Sequence, residues 1–474
     1  MKRLFALVLL SVWVARAQSV TRLYFEPLEK PEPSAVKLRE ALMEMASKGK
    51  TAAVVEHAED ADRVLSIAGA TYIKGYVGRN IRVRYKNADS QPVYGGYLSL
   101  ELKTKEDQPV WSYLVTPRRF GPEDINKNLA EQAVKKLTEY LLNAPPQSSV
   151  PQQNSPQVLL GAGATFPYPL YKKWFATFQK AFPGLTIGYR SVGSGAGLDA
   201  LSKGEVDFAA SDIPLTNGEM AAYQVKIQHI PSVIGGVVLT YRLDGFPREL
   251  RLTPEALAGI YSGKITHWND PLLRAANRDF ELPDRKIVVV HRSDRSGTTY
   301  IWTSYLSSVS EAWKSSIGVG ATVTWPVGIS AEGTDGVAEL VAKTPDSIGY
   351  VEFFYALDHR LNYASIRNRS GQFVQADLTT LPAAALEATP ASPDDLRISL
   401  VNASGKNAYP IAAFTYLLVP VTFKDATEGA AMKQFLAWML DTGQKQCGAL
   451  GYAALPAEID ALAKKAAEQI QAAR

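Results

Sequence analysis

"QVLLGAGATFPYPLYKKWFATFQKAF", Gln157 to Phe182, starts as a short apolar run, breaks at two glycines and continues in a helical pattern. A buried strand that turns through glycines into an amphipathic helix is the repeating unit of an α/β fold. The unit recurs downstream. "LTIGYRSVG", "VDFAAS", "VIGGVVLTY", "KIVVVHRS" and "SIGYVEF" are further apolar strands, and "TPEALAGIYSGKI" is helical, with Thr253 as N-cap and Pro254 in the first turn. The rhythm predicts a parallel sheet covered by helices. In such sheets ligands sit beyond the carboxyl ends of the strands, where helices begin.

Upstream, "NAPPQSSVPQQNSPQ" (143–157) has no hydrophobic period and reads as a linker. The segment before it alternates differently. "NIRVRYK" (80–86) and "YLSLELK" (97–103) have period two and predict half-buried strands. Ser34 is the predicted cap of one helix, with Val36, Leu38, Leu42 and Met45 on its apolar side. A second runs from about Pro122 to Leu142 through Ile125, Leu129, Ala133, Leu137 and Tyr140. A small α+β domain over 18–142 is expected. Arg79, Arg82, Arg84 and Lys86 read either as a basic face for an acidic partner or as a strand edge protected by charge.

At the N-terminus Lys2 and Arg3 precede an apolar run from Leu4 to Val14, followed by Ala15-Arg16-Ala17. This is the pattern of a secretory signal peptide, residues 1–17, and the run is too short for a bilayer span. Gln18 would follow the cut, so no cysteine stands there to carry a lipid. Loss of Lys2, Arg3 and Arg16 brings the net charge from +4 to +1, too small for general attraction to nucleic acid or membrane. With 474 residues, two or three domains are expected, and 46% hydrophobic against 21% charged residues describes a globular chain. Cys447 is the only cysteine, so no internal disulfide can form, and it reads as a packing residue. Five scattered histidines make no metal-type pair, so neither metal nor cofactor is expected.

Four strand ends carry polar clusters: "GAGATFP" (161–167), "VGSGAG" (192–197), "AASDIPL" (209–215) and "HRSDRSGTTY" (291–300). The first has the opening spacing of a dinucleotide fingerprint, but Phe166 stands where its last small residue belongs. Neither glycine loop ends in Gly-Lys-Ser/Thr, and Ser296 lacks the G-x-S-x-G context of a hydrolase nucleophile. What remains is a concentration of hydrogen-bond donors. Helix N-termini present unpaired N–H groups and partial positive charge, and glycines let an anion approach them. Starts at Thr165-Phe166, Ser194 and Ser296-Gly297-Thr298 can surround one small oxyanion, with Arg292 adding a forked, charged donor. Any one of them alone is an ordinary helix cap. Asp212 is the odd member, since a carboxylate repels an anion. Either it caps the turn at Ile213-Pro214, or the oxyanion carries a proton for it to accept. Phosphate can supply that proton and sulfate cannot.

At these residues the chain resembles the PstS-type phosphate-binding proteins of phosphate ABC transporters. "GAGATFPYPLYKKW", "DFAASDIPL", "VIGGVVLTY", "IYSGKITHWND", "RSDRSGTTYIWTSYL" and "SIGYVEFFYAL" match that family in its order, from about Leu159 onward. The resemblance implies a two-lobed periplasmic-binding-protein fold of type II over 158–474. One lobe would comprise about 158–235 and 355–474, the other about 238–350. It implies phosphate ligands at Thr165, Phe166 (through its backbone), Ser194, Asp212, Arg292, Ser296, Gly297 and Thr298, with Asp294 holding the arginine. It implies inorganic phosphate and an inner-membrane ABC permease as partners, a periplasmic location and no catalysis. Two features depart from the family: Gly195-Ala196-Gly197 stands where Ser-Gly-Gly is common, and Arg295 where a small residue is. The N-terminal domain is also foreign to the family, which leaves open a sensor or scaffold acting through an unknown partner. A phosphatase using Ser296 or Thr298 is the third reading; no motif ties a histidine to Ser296 as its base, and His291 is the histidine nearest to it in sequence.

Overall fold

The computed structural model describes residues 21–28, 33–48, 52–78, 90–105, 107–117, 122–143, 157–246, 249–386, 388, 390, 392 and 395–472. The expected signal peptide, residues 144–156 of the expected linker (143–157), the whole of "NIRVRYK" and the basic residues Arg79, Arg82, Arg84 and Lys86 lie outside the described residues.

The N-terminal unit contains β1 (Thr21–Phe25), α1 (Pro33–Lys48), β2 (Ala52–Val55), β3 (Arg63–Gly78), β4 (Ser90–Lys103), β5 (Pro109–Val115) and α2 (Pro122–Asn143). Its sheet runs β2-β1-β3-β4-β5. Alternation along β4 explains how it is covered. Leu98, Leu100 and Leu102 are fully buried in a core with Leu38 and Leu42 of α1 and Leu129 and Leu137 of α2. The buried face of α1 is Ala35, Leu38, Leu42 and Ala46, so Val36 and Met45 lie to its sides, and the helix starts one residue before the expected Ser34 cap.

The opposite face of β4 and β5 docks on the C-terminal half of the chain. Ser99 Oγ donates to the Ala449 carbonyl at 2.7 Å, and Ser112 Oγ donates to the Lys445 carbonyl at 2.6 Å. Ser112 Oγ also accepts from the Ala449 N–H at 3.1 Å, so one hydroxyl closes a ring on that turn. Leu114 belongs to the large C-terminal core rather than to the N-terminal one. Lys173 and Glu101 pair at 2.9 Å beside it.

Residues 157–472 form the α/β part. Here β6 (Gln157–Gly163), α3 (Tyr168–Ala181), β7 (Leu185–Ser191), α4 (Ser194–Ser202) and β8 (Phe208–Ser211) lead into β9 (Ile227–Arg242). They are followed by α5 (Pro254–Tyr261), β10 (Val288–Arg292), α6 (Gly297–Val309), β11 (Ile329–Ala331), α7 (Gly333–Lys343), β12 (Ser347–Glu352), α8 (Phe353–Asp358), β13 (Ala412–Pro420) and α9 (Ala426–Trp438). Strand order is β11-β10-β12-β9-β13-β8-β6-β7. The parallel sheet expected from the sequence is therefore mixed. β6, β7 and β8 are parallel, as are β10, β11 and β12, but β9 is antiparallel to both β12 and β13.

β9 explains the two-lobed shape. Ile227–Gly236 pairs with β13, and Val237–Arg242 pairs with β12, so one strand belongs to both half-sheets. It is buried from Ile227 through Tyr241, on both faces, which is why its central stretch "VIGGVVL" is apolar without alternation and conceals its direction. Among the described residues no helix is long and apolar enough to cross a membrane.

Candidate functional site

The polar clusters lie at the carboxyl ends of β6, β7, β8 and β10, and the structure brings them together in the cleft between the half-sheets. Thr165 and Phe166 follow β6 and precede α3; Ser194 opens α4; Asp212 follows β8; Arg292 ends β10; and Gly297 and Thr298 open α6. Ser194, Asp212, Arg292, Ser296, Thr298 and Phe166 are all buried.

Ser296 is the N-cap of α6, and its Oγ accepts from the Thr299 N–H at 3.1 Å. Capping uses a lone pair and leaves the hydroxyl proton for another acceptor. Gly297 and Thr298 hold the first two helical positions, where N–H groups have no partner within the helix. A side chain cannot replace the hydrogen of Gly297. A Cβ there would fall 2.3 Å from both Asp212 Oδ2 and Ser194 Oγ on the facing lobe.

Arg292 is fixed on two edges. Its Nε donates to Asp294 Oδ1 at 2.7 Å and its Nη2 to Asp294 Oδ2; its Nη1 donates to Thr334 Oγ1 at 2.9 Å. Asp294 also accepts the Gly333 N–H at 3.1 Å. Burial alone would raise the Asp294 carboxyl, but the guanidinium and that N–H override it and hold the group below the usual carboxylate range. Arg292 therefore enters the cleft as a pre-set cation with its charge partner behind it.

Asp212 is treated differently. Its Oδ1 accepts the Thr415 hydroxyl of β13 at 2.6 Å, while Oδ2 faces Ser194 Oγ at 3.4 Å. Burial pushes its pKa up to about 7, against the opposing hydrogen bond from Thr415, the charge of Arg292 and the hydrogen bond from Ser194. The alternative role as a turn cap falls to its neighbour, because the Ile213 N–H bonds Ser211 Oγ at 3.0 Å. Asp212 is thus a buried carboxyl poised to share a proton.

Phe166 holds the other wall. Its ring packs against Gly235 of β9, and its carbonyl accepts from the Tyr452 hydroxyl at 2.7 Å. That hydroxyl also lies 2.9 Å from Oε2 of Glu352, a buried carboxyl at the end of β12 whose pKa burial raises well above the ordinary value. Thr165 presents its hydroxyl to Thr334 Oγ1 at 2.9 Å, and its carbonyl accepts from Tyr355 at 2.8 Å.

Arg295, to which the sequence assigns no role, reaches across the cleft. Its Nη1 meets Asp199 Oδ1 of α4 at 2.8 Å, and its carbonyl accepts the Gly195 N–H at 3.1 Å. The glycine that departs from the family pattern makes room for this. A Cβ at Gly195 would lie 2.3 Å from the Arg295 side chain. The two departures are one feature.

His291, considered as a base for Ser296, stacks on Trp325 with ring centroids 4.9 Å apart, and its Nδ1 lies 3.1 Å from the Arg292 carbonyl oxygen. Cys447 is buried, and burial pushes its thiol up, which suits a packing role. Among the described residues no group of three or more His, Cys, Asp or Glu side chains is placed to hold a metal.

Sequence reasoning missed Thr334, Thr415 and Tyr452. A lone threonine in the apolar strand "AAFTYLLVP" is the available signal for Thr415.

The fold defines a class: two α/β lobes sharing a central strand around a polar cleft, with residues 150–442 matching the PBP superfamily domain. The chain is 42% identical over 306 residues to the phosphate-binding protein PstS of Xylella fastidiosa, covering 64% of this chain and 83% of that protein. It is 40% identical over 304 residues to PstS of Pasteurella multocida, covering 64% and 88%. The chain belongs to the PstS family of phosphate-binding proteins. The X-ray structure of a phosphate-binding protein from Stenotrophomonas maltophilia, 24% identical, shares the fold at a TM-score of 0.50 over 65% of this chain and 93% of that one.

Proposed function

We propose that this is an exported, periplasmic solute-binding protein that captures inorganic phosphate between its lobes and delivers it to an ABC permease of the inner membrane. Lobe I would comprise about 158–235 and 355–474, lobe II about 238–350. The ligands would be Thr165, Phe166, Ser194, Asp212, Arg292, Ser296, Gly297 and Thr298, with Asp294 orienting Arg292.

The observation that carries this reading is the pairing of a pre-set guanidinium with a buried, proton-sharing carboxyl in one closed cleft. A dianion or monoanion of phosphate offers oxygens of both kinds, bare ones for the donors and a protonated one for Asp212. Sulfate would leave Asp212 facing a bare oxygen, and buried unpaired groups of this kind cost about 1–3 kcal/mol or more. Calorimetric titration of phosphate-stripped mature protein with phosphate, and in parallel with sulfate, tests it. Tight phosphate binding with no sulfate heat is expected; a folded sample silent to phosphate would overturn the assignment.

A second reading adds to the first. The N-terminal domain grips Lys445–Ala449 through Ser112, just ahead of Tyr452 and its contact with Phe166, which supports a domain that reads the state of the cleft. Amide hydrogen exchange in 97–115 should then change when phosphate is added. No change there would leave the domain without that role.

A further inference from the structure

Thr334 is a residue that no pattern singled out, yet it touches both sides of the cleft. It stands at the second position of α7, is 1% exposed, and its Oγ1 lies 2.9 Å from Arg292 Nη1 and 2.9 Å from Thr165 Oγ1. Arg292 and Thr334 come from one lobe, Thr165 from the other. The direction of this chain of bonds follows from the chemistry of its first member. A guanidinium has donors and no acceptor, so Thr334 Oγ1 must accept from Arg292. The Thr334 hydroxyl then has one proton to place, and Thr165 Oγ1 is the acceptor within reach. A buried donor left unplaced would be costly, so the proton goes to Thr165. Thr165 accepts there, and its own proton is turned into the cleft.

We propose that Thr334 is a positioning residue that sets the direction of the Thr165 hydroxyl, making Thr165 an obligate donor to the bound anion. Its work is done through Thr165 and needs no contact with the ligand. The result is a site with a fixed sense. At the Thr165 end only an oxygen without a proton is accepted; at the Asp212 end an oxygen with a proton is favoured. Polarisation along the chain also strengthens the final donor, because each bond in a sequence of hydroxyls enhances the next. Closure and orientation become one event, since Thr165 meets Thr334 only when the lobes are together.

This inference rests on the phosphate reading above, and the experiment separates the two. Phosphate affinity is measured calorimetrically for the wild-type protein, Thr334→Val, Thr165→Val and the double variant, at one pH. Thr334→Val is expected to weaken phosphate binding by about tenfold, the scale of one lost hydrogen bond to a charged group. In the Thr165→Val background the same change is expected to cost about twofold or less, because a relay broken at its end has nothing left to lose. Thr334→Ser keeps the hydroxyl and should stay within about threefold of wild type. If Thr334→Val does not fold, Thr334→Ala enters the same cycle. Additive losses would overturn the relay and make Thr334 an independent support of Arg292. A wild-type protein that binds no phosphate would overturn the phosphate reading itself, and the relay with it.

Discussion

Gly297 lies so near Asp212 that a Cβ on it would sit 2.3 Å from the Oδ2 of that carboxylate, across the cleft between the lobes. The contact sets how far the lobes can close. Gly297→Ala should hold them apart by a fraction of an ångström and weaken phosphate binding about tenfold to a hundredfold, the usual scale of overpacking. The ligand-free melting temperature should barely move, because an open cleft has room for the methyl group. Calorimetry and a thermal melt on the same sample check both halves.

Asp212 carries a prediction about pH. Its folded pKa, near 7, stands above the ordinary carboxylate value, so the folded protein binds a proton that the unfolded chain releases. Stability from this group is undiminished below the unfolded pKa, falls as pH rises toward 7, and levels off above it. Asp212→Asn removes the dependence. The difference in unfolding free energy between ligand-free wild type and variant should change by up to about 4 kcal/mol from pH 4 to pH 8, since each tenfold change in proton affinity is worth about 1.4 kcal/mol. A constant difference across that range would show that Asp212 titrates normally. The same variant should bind phosphate less selectively over sulfate, which parallel titrations would register.

Arg295 and Asp199 form an ion pair between lobes whose side chains are 48% and 59% exposed. Such pairs are worth about 0.2–1 kcal/mol and are screened by salt. Arg295→Ala should therefore weaken phosphate binding by about two- to fivefold at low ionic strength, and by nothing measurable near 1 M salt. An equal loss at both salt concentrations would place Arg295 among the desolvated ligands.

Leu114 ties the N-terminal domain to the C-terminal core. Leu114→Ala should destabilise the protein by about 2–5 kcal/mol, as buried leucine truncations do. The loss should appear in the melting of the α/β part as well as the N-terminal domain. Two transitions, with only the first shifted, would mean that the domains are energetically separate.

Much of the cleft was legible because its pieces are local. A strand end, a glycine and a helix start fall within a few residues, and the clusters at 161–167, 192–197, 209–215 and 291–300 each contain their own geometry. What escaped is what distance hides. Thr415 lies 203 residues from the Asp212 it bonds, and Ser112 lies 333 from Lys445. Nothing in the spacing of "EGTDGV" says that its threonine will face an arginine 42 residues earlier. The strand rhythm conceals the mixed character of the sheet for a related reason. β9 is buried on both faces, and without alternation an apolar run carries no sign of its direction.

That same strand governs the order in which the protein can be assembled. Half of β9 waits for residues 347–352, and the other half waits for residues 412–420, which enter only near the C-terminus. Pairings so remote in sequence are slow to form. The half-sheet around Ile227–Gly236 is therefore incomplete until nearly the whole polypeptide is present, whereas β9 to β12 of the other are all present once Glu352 has entered. On the proposed route, in which the chain is exported unfolded, such lateness would keep the polypeptide threadable until the far side is reached.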